Sequence, residues 1–122
     1  MEKQELSFRI ELRSFRHAVD GCMVFFRKER NARIHGLATI LVAVASWRCH
    51  VSRQEVAILT IVVGIVWIAE MFNSCVEKLI DFITTAQHPE LKFVKDLAAG
   101  AVLLAAGTAL AAGSIIFLPK IL

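Results

Sequence analysis

An uncharged apolar stretch near the C-terminal end is the feature that most restricts how this chain can fold. It extends from Leu97 to Leu118 without a single Lys, Arg, Asp or Glu. A helix of this length, about 33 Å at 1.5 Å per residue, matches the hydrocarbon core of a bilayer. The whole chain is unusually apolar as well, with 57% hydrophobic residues and a mean hydropathy of +0.61. We therefore expect an all-α integral membrane protein rather than a soluble domain.

Two further apolar runs precede this one, at residues 37–45 and 56–69. The second run continues with helical spacing as far as Ile83. We therefore predict one domain, residues 1–122, with three transmembrane helices at about residues 34–50, 55–83 and 94–118.

The segment before these spans, about residues 8–30, is amphipathic. Its apolar side chains, among them Phe15, Val19 and Phe26, recur at helical spacing between Arg and Lys residues. We predict a surface helix with its apolar face at the acyl boundary and its basic residues near the headgroups. A core helix of a soluble protein is the alternative that this pattern leaves open. Because the segment has no continuous apolar core, we do not expect a cleavable signal peptide.

The distribution of basic residues predicts the orientation of the spans. Eleven of the fourteen Lys and Arg lie in the N-terminal segment or around the second loop, and three lie in the first loop or at the C-terminal end. By the positive-inside rule, the N-terminus and the second loop face the cytoplasm.

A stripe of acidic and polar residues directly follows the second apolar run, in the sequence EMFNSCVEKLID (70–81). Its members are spaced three, four and four residues apart and therefore share one face of a helix. They are Glu70, Asn73, Glu77 and Asp81. Carboxylates next to a membrane span are costly, so this face needs a function or a partner.

The predicted orientation places this stripe, Glu29 and the pair Lys95 and Asp96 at the same cytoplasmic face. Carboxylates near a basic residue suit a site for Mg²⁺ and a nucleotide, because oxygen ligands hold the ion and the ion bridges phosphates. A further carboxylate can act as general base toward a lipid hydroxyl. Glu29 alone would be read as a salt-bridged surface residue.

Two other classes of function remain open at this point. A small proton-coupled membrane transporter also uses an acid within a span, although it typically places a lone acid near the midplane. A membrane scaffold without catalytic activity would leave the acidic stripe unexplained.

Four segments together resemble the prokaryotic diacylglycerol kinase family. They are ERNARIH (29–35), EMFNSCVEKLID (70–81), HPELKFVKDLAAGAVLLAAG (88–107) and IIFLPK (115–120). The resemblance extends over residues 13–120 and is closest to the undecaprenol kinase branch. It implies an ATP-dependent lipid kinase that transfers the γ-phosphoryl group of MgATP to a membrane lipid alcohol. Undecaprenol is the main acceptor expected, with diacylglycerol as the alternative.

The same resemblance implies a homotrimer with shared active sites in the bacterial inner membrane, and a role for each motif position. Glu70 matches the general base, and Asn73 lines the same site. Glu29 and Glu77 match the acids that hold Mg²⁺ on ATP. The positions expected around the nucleotide are Asp81, His88, Lys95 and Asp96. Because Glu70 and Glu77 lie about 10 Å apart along a helix, we expect separate roles for them.

Overall fold

The computed structural model describes every residue from Met1 to Leu122 as four helices with short connections. The helices are α1 (Glu2–Lys28), α2 (Arg30–Arg48), α3 (Arg53–Ile83) and α4 (Pro89–Ile121). The all-helical prediction is therefore confirmed. By backbone contacts the chain divides into two compact units, Met1–Arg33 and Ile34–Leu122.

The first unit consists of α1 and the first turn of α2, joined by one non-helical residue. Glu29 has an extended backbone, with φ −92° and ψ 121°, although its N–H still donates to the carbonyl oxygen of Phe25 at 3.0 Å. No residue of α1 is buried, so its apolar side chains are available to a lipid or protein surface. Ala32, in contrast, is fully buried.

In the second unit, local sequence features account for both ends of α3. Ser52 and Glu55 form a capping box, in which each side chain accepts a hydrogen bond from the backbone N–H of the other. The helix ends at Thr84, which has an extended backbone. Pro89 then occupies the first turn of α4, where its missing N–H and fixed φ are tolerated. The short connection between the two helices makes them antiparallel neighbours.

One face of α3 packs along α4 over almost its whole length. Ala105 of α4 is buried there, and its small side chain lets the two helix backbones approach closely. Asp81 and Lys95 form an ion pair at one end of the hairpin, with 2.6 Å between Oδ1 and Nζ. The buried residues of α3 recur at helical spacing and include polar members: Leu59, Val62, Val66, Glu70, Asn73, Ser74 and Ile80.

A second ion pair closes the opposite end of the hairpin. Glu55 Oε2, in the first turn of α3, lies 3.2 Å from Lys120 Nζ in the last turn of α4. An ion pair therefore joins the two helices near each end of the hairpin, and the buried polar residues of α3 lie between these two pairs.

Two helices, α3 and α4, are long and apolar enough to cross a membrane. Their mean hydropathy reaches 2.1 and 2.2, and their 31 and 33 residues exceed the 20 or so that a span requires. Their outward side chains are large and apolar, as at Ile61, Phe72 and Leu103, and they remain exposed. Such surfaces suit contact with lipid or with other helices.

We predict that Ala105→Leu destabilises the hairpin by about 1–3 kcal/mol, because a larger side chain overpacks the contact between α3 and α4. The free energy of unfolding in mild detergent measures this effect. Ala101→Leu is the matched control, since Ala101 lies one turn earlier on α4 and is exposed. Equal destabilisation by both substitutions would contradict the packing described here.

Candidate active site

Glu70 is the most deeply buried ionisable residue of the protein, with 2% of its surface exposed. It lies in the middle of α3, on the face that also carries the apolar residues Val62 and Val66. Its Oε2 atom lies 3.4 Å from Nε2 of His35, which is on α2. A buried carboxylate is costly unless it is paired, so this contact supports its presence there.

His35 is in turn held by a small set of contacts between α2 and α3. The ring of Trp67 meets the imidazole edge to face, with 6.1 Å between the ring centroids. Trp67 Nε1 donates to Thr39 Oγ1 at 3.0 Å. The Thr39 hydroxyl donates to the backbone carbonyl of His35 at 2.7 Å. The imidazole next to Glu70 therefore packs against Trp67, and Thr39 links the Trp67 side chain to the backbone of His35.

Sequence reasoning did not single out His35, Thr39 or Trp67. A signal was present, because His35 closes the ERNARIH segment and Thr39 follows it by one helical turn. Trp67 likewise precedes Glu70 by one turn and shares its face. What was missing from the sequence was the pairing of these two helix faces.

One turn beyond Glu70, Asn73 is also buried, with 6% of its surface exposed. Its Nδ2 donates to Oε1 of the half-buried Glu77 at 3.4 Å. Its Oδ1 is buried and has no hydrogen-bond partner. A buried acceptor of this kind marks a place where a ligand donor would be stabilised.

At the loop end of the hairpin, Asp81 and Lys95 pair across the helices, whereas Asp96 pairs with Lys92 within α4 at 2.5 Å. A cavity of about 710 Å³ opens beside the connection. His88, the residue that precedes α4, is exposed and lines it. The polar residues along the cavity are Asp81, Thr84, Thr85, Gln87, His88, Lys92 and Lys95. Three of the four predicted nucleotide residues therefore share one cavity, and Asp96 lies outside its lining.

Seven of the eight predicted site residues belong to the second unit, and Glu29 belongs to the first. No group of three or more His, Cys, Asp or Glu side chains forms a metal-binding cluster in the structure. Magnesium bound with a nucleotide needs only one or two protein carboxylates, because phosphates and water complete its coordination. Glu77, whose Oε1 accepts from Asn73, fits that limited requirement.

The sequence model of the prokaryotic diacylglycerol kinase family matches residues 16–117. The chain belongs to this family. It is 38% identical over 110 residues to a protein of Synechocystis sp. (strain PCC 6803) named diacylglycerol kinase. That match covers 89% of the chain but 63% of the relative, so the chain spans less than two thirds of that protein's length. It is also 36% identical over 109 residues to the Bacillus subtilis protein named undecaprenol kinase, covering 89% of each.

Membership of the prokaryotic diacylglycerol kinase family agrees with the two long apolar helices in identifying a membrane protein. The matched region includes α2, α3, the second half of α1 and α4 as far as Phe117. All eight predicted site residues lie within it.

We predict that Lys95→Met changes the free energy of unfolding by less than about 1 kcal/mol, because the Asp81–Lys95 pair is open to solvent and exposed pairs contribute little. Chemical unfolding in detergent measures this. The matched control is Lys92→Met, which removes the neighbouring exposed pair with Asp96. A loss of more than about 2 kcal/mol for Lys95→Met would show that the pair is mainly structural.

Proposed function

We propose that the protein is a lipid kinase that transfers the γ-phosphoryl group of MgATP to the hydroxyl of a membrane lipid alcohol. The observation that carries this proposal is the buried carboxylate of Glu70, paired with His35 inside a hairpin apolar enough to span a membrane. From Glu70 a polar face leads along α3 to the charged cavity at Asp81 and Lys95. Family membership supports the same activity.

In this proposal Glu70 is the general base. The lipid oxygen forms a bond to the γ-phosphorus, and its proton passes to the Glu70 carboxylate. The bond between the γ-phosphorus and the bridging oxygen breaks, and its electron pair leaves with ADP. A carboxylate buried at the depth of the lipid hydroxyl is suited to this transfer, because it needs no large movement to reach the proton. The unpartnered Oδ1 of Asn73, one turn away, offers an acceptor that orients the same hydroxyl.

The nucleotide is assigned to the loop end of the hairpin. Lys95 faces the phosphates there, since a mobile ammonium suits that role, and Asp81 and His88 complete the cavity. Asp96 contributes through its pair with Lys92 at the rim.

Glu77 and Glu29 are assigned to the magnesium ion that accompanies ATP. These two carboxylates would hold the ion, and the ion would supply neutralisation of the phosphate charge. Glu70 and Glu77 lie about 10 Å apart along α3, which is too far for both to ligate one ion. The base and the metal ligand are therefore separate residues in this proposal.

Undecaprenol is the acceptor we propose. This choice is supported by the Bacillus subtilis relative named undecaprenol kinase, which aligns with the chain over 89% of both sequences. Diacylglycerol is the alternative acceptor, because the Synechocystis relative is named diacylglycerol kinase and its sequence identity to the chain is similar, at 38%.

We further propose that residues 1–122 form one kinase domain with three spans and a surface helix, in a homotrimer at the bacterial inner membrane. Helix α2 is the third span: its 19 residues measure about 28 Å, close to the thickness of a hydrocarbon core. The N-terminus and the nucleotide end face the cytoplasm, in agreement with the excess of basic residues there. The exposed apolar faces of α3 and α4 give subunits a surface on which to associate.

We predict that Glu70→Gln lowers kinase activity by roughly 10²- to 10⁴-fold, because it removes the general base while keeping the side-chain shape. Transfer of labelled phosphate from ATP, with undecaprenol and diacylglycerol offered side by side, measures both the loss and the acceptor preference. The control is Glu55→Gln, in the first turn of the same helix and outside the predicted site. Full activity of Glu70→Gln would overturn the assigned base, and no labelled lipid from the unaltered protein would overturn the function.

A second prediction concerns sharing of the site between subunits. Glu29→Gln and Glu77→Gln should each inactivate a uniform trimer. Mixed trimers contain both Glu29→Gln and Glu77→Gln subunits. If each site is formed by Glu29 of one subunit and Glu77 of its neighbour, such trimers regain about one third of the sites, because one neighbouring pair in each ring combines both intact residues. Co-expression with two different tags, tandem purification and the same phosphate-transfer assay test this. Inactive mixed trimers would show that each subunit supplies both carboxylates to its own site.

A further inference from the structure

We propose that His35 is a positioning residue for the Glu70 carboxylate: the polar contact of its Nε2 with Oε2, at 3.4 Å, fixes the base before the lipid arrives. This inference rests on the proposed function, because it assumes that Glu70 accepts the lipid proton. It adds a residue on a second helix that the acidic stripe of α3 does not contain.

The first reason is the environment of Glu70. Its side chain is 3% exposed, and His35 Nε2 at 3.4 Å is the one ion-pair partner that it has. The His35 side chain is itself only 20% exposed. With so little water nearby, the direction of the carboxylate depends on this single contact, because few solvent molecules compete for it.

The second reason is that His35 cannot turn freely. Trp67 packs against the imidazole from α3, and its indole N–H is used by Thr39. Thr39 also binds the carbonyl oxygen of His35, one turn earlier on α2. The imidazole is therefore packed on one side by Trp67, and the orientation of Trp67 is in turn fixed by its hydrogen bond to Thr39. A side chain positioned in this way helps to position the group that it contacts.

The third reason is the placement of this group beside an apolar cavity. His35, Thr39 and Trp67 line a space of about 430 Å³ between α2, α3 and α4, whose other walls are mainly aliphatic. An apolar molecule in this space would lie against the imidazole rather than against the charged loop end. His35 thus stands between the apolar space and the buried base.

The experiment compares His35→Gln with His35→Leu in the trimer, in mixed micelles that contain undecaprenol and MgATP. A glutamine amide reaches the position of the imidazole Nε2 and donates there, but it does not take up a proton at neutral pH. Leucine fills similar space without a donor. We expect His35→Leu to lower kcat by roughly 10- to 100-fold, because a base displaced by about 1 Å loses activity on that scale.

His35→Gln should recover most of that loss. The KM for MgATP should stay within about two-fold in both variants, because a loss confined to the chemical step leaves ground-state binding unchanged. The charged pair at Asp81 lies about 16 Å along α3 from Glu70, which keeps the nucleotide end separate. His50→Gln, in the exposed connection between α2 and α3, is the matched control and should leave kcat unchanged.

Two results would overturn the proposal. One is unaltered kcat in His35→Leu; the other is a His35→Gln variant that is folded and as inactive as His35→Leu, which would indicate proton uptake by the imidazole. Gel filtration and thermal unfolding report whether each variant is folded. If His35→Leu fails to assemble, Thr39→Val replaces it: a several-fold fall in kcat supports the proposal, and an unchanged kcat contradicts it.

The inference and the proposed function fail in different ways. A fully active Glu70→Gln variant removes the base and with it the reason for a positioning residue. An inactive Glu70→Gln variant together with a fully active His35→Leu variant overturns the role of His35 alone.

Discussion

A carboxylate shielded from water in the middle of an apolar hairpin is the constraint on which the rest of this structure depends. Glu70 is tolerated there because α2 brings an imidazole to it and α4 presents small side chains that allow close packing. Burying a charge for stability alone is unfavourable, since an apolar residue of similar size would pack there at lower cost. Its presence there is better explained by chemistry, and the proposed lipid kinase activity gives such a carboxylate a role.

Along one face of α3, the surroundings of the side chains change steadily from the middle of the helix to the loop end of the hairpin. At Glu70 and Asn73 the side chains are buried; at Glu77 the side chain is half-buried; at Asp81 the surroundings are charged and exposed. The apolar chain of a membrane lipid and a nucleotide phosphate have opposite preferences for water, so a site at which the two meet is served by such a gradient. A single amphipathic helix supplies it, because residues one turn apart are displaced by about 5.4 Å along the axis.

Much of this arrangement could be predicted from sequence, because it follows local rules. The spacing from Glu70 to Asp81 placed the stripe on one face of a helix. Three spans were predicted from the apolar runs, and two of them, α3 and α4, are helices long and apolar enough to cross a membrane. The role of His35 could not be predicted, since it depends on how α2 docks against α3, and residues 35 positions apart carry no periodic signal. The single extended residue at Glu29 was also missed, because neither Gly nor Pro marks the break.

The two ion pairs at the ends of the hairpin are both compatible with a single axial register between α3 and α4. A slip of one turn would separate both pairs at once. The pair of Glu55 with Lys120 is the more sheltered, with both side chains less than 30% exposed, whereas Asp81 is 67% exposed. In the proposed reaction Lys95 can therefore exchange Asp81 for a phosphate oxygen while the far pair keeps the helices aligned. One end of the hairpin therefore keeps its ion pair while the pair at the other end can open. Binding and release of the nucleotide then need not change the position of Glu70 along the hairpin.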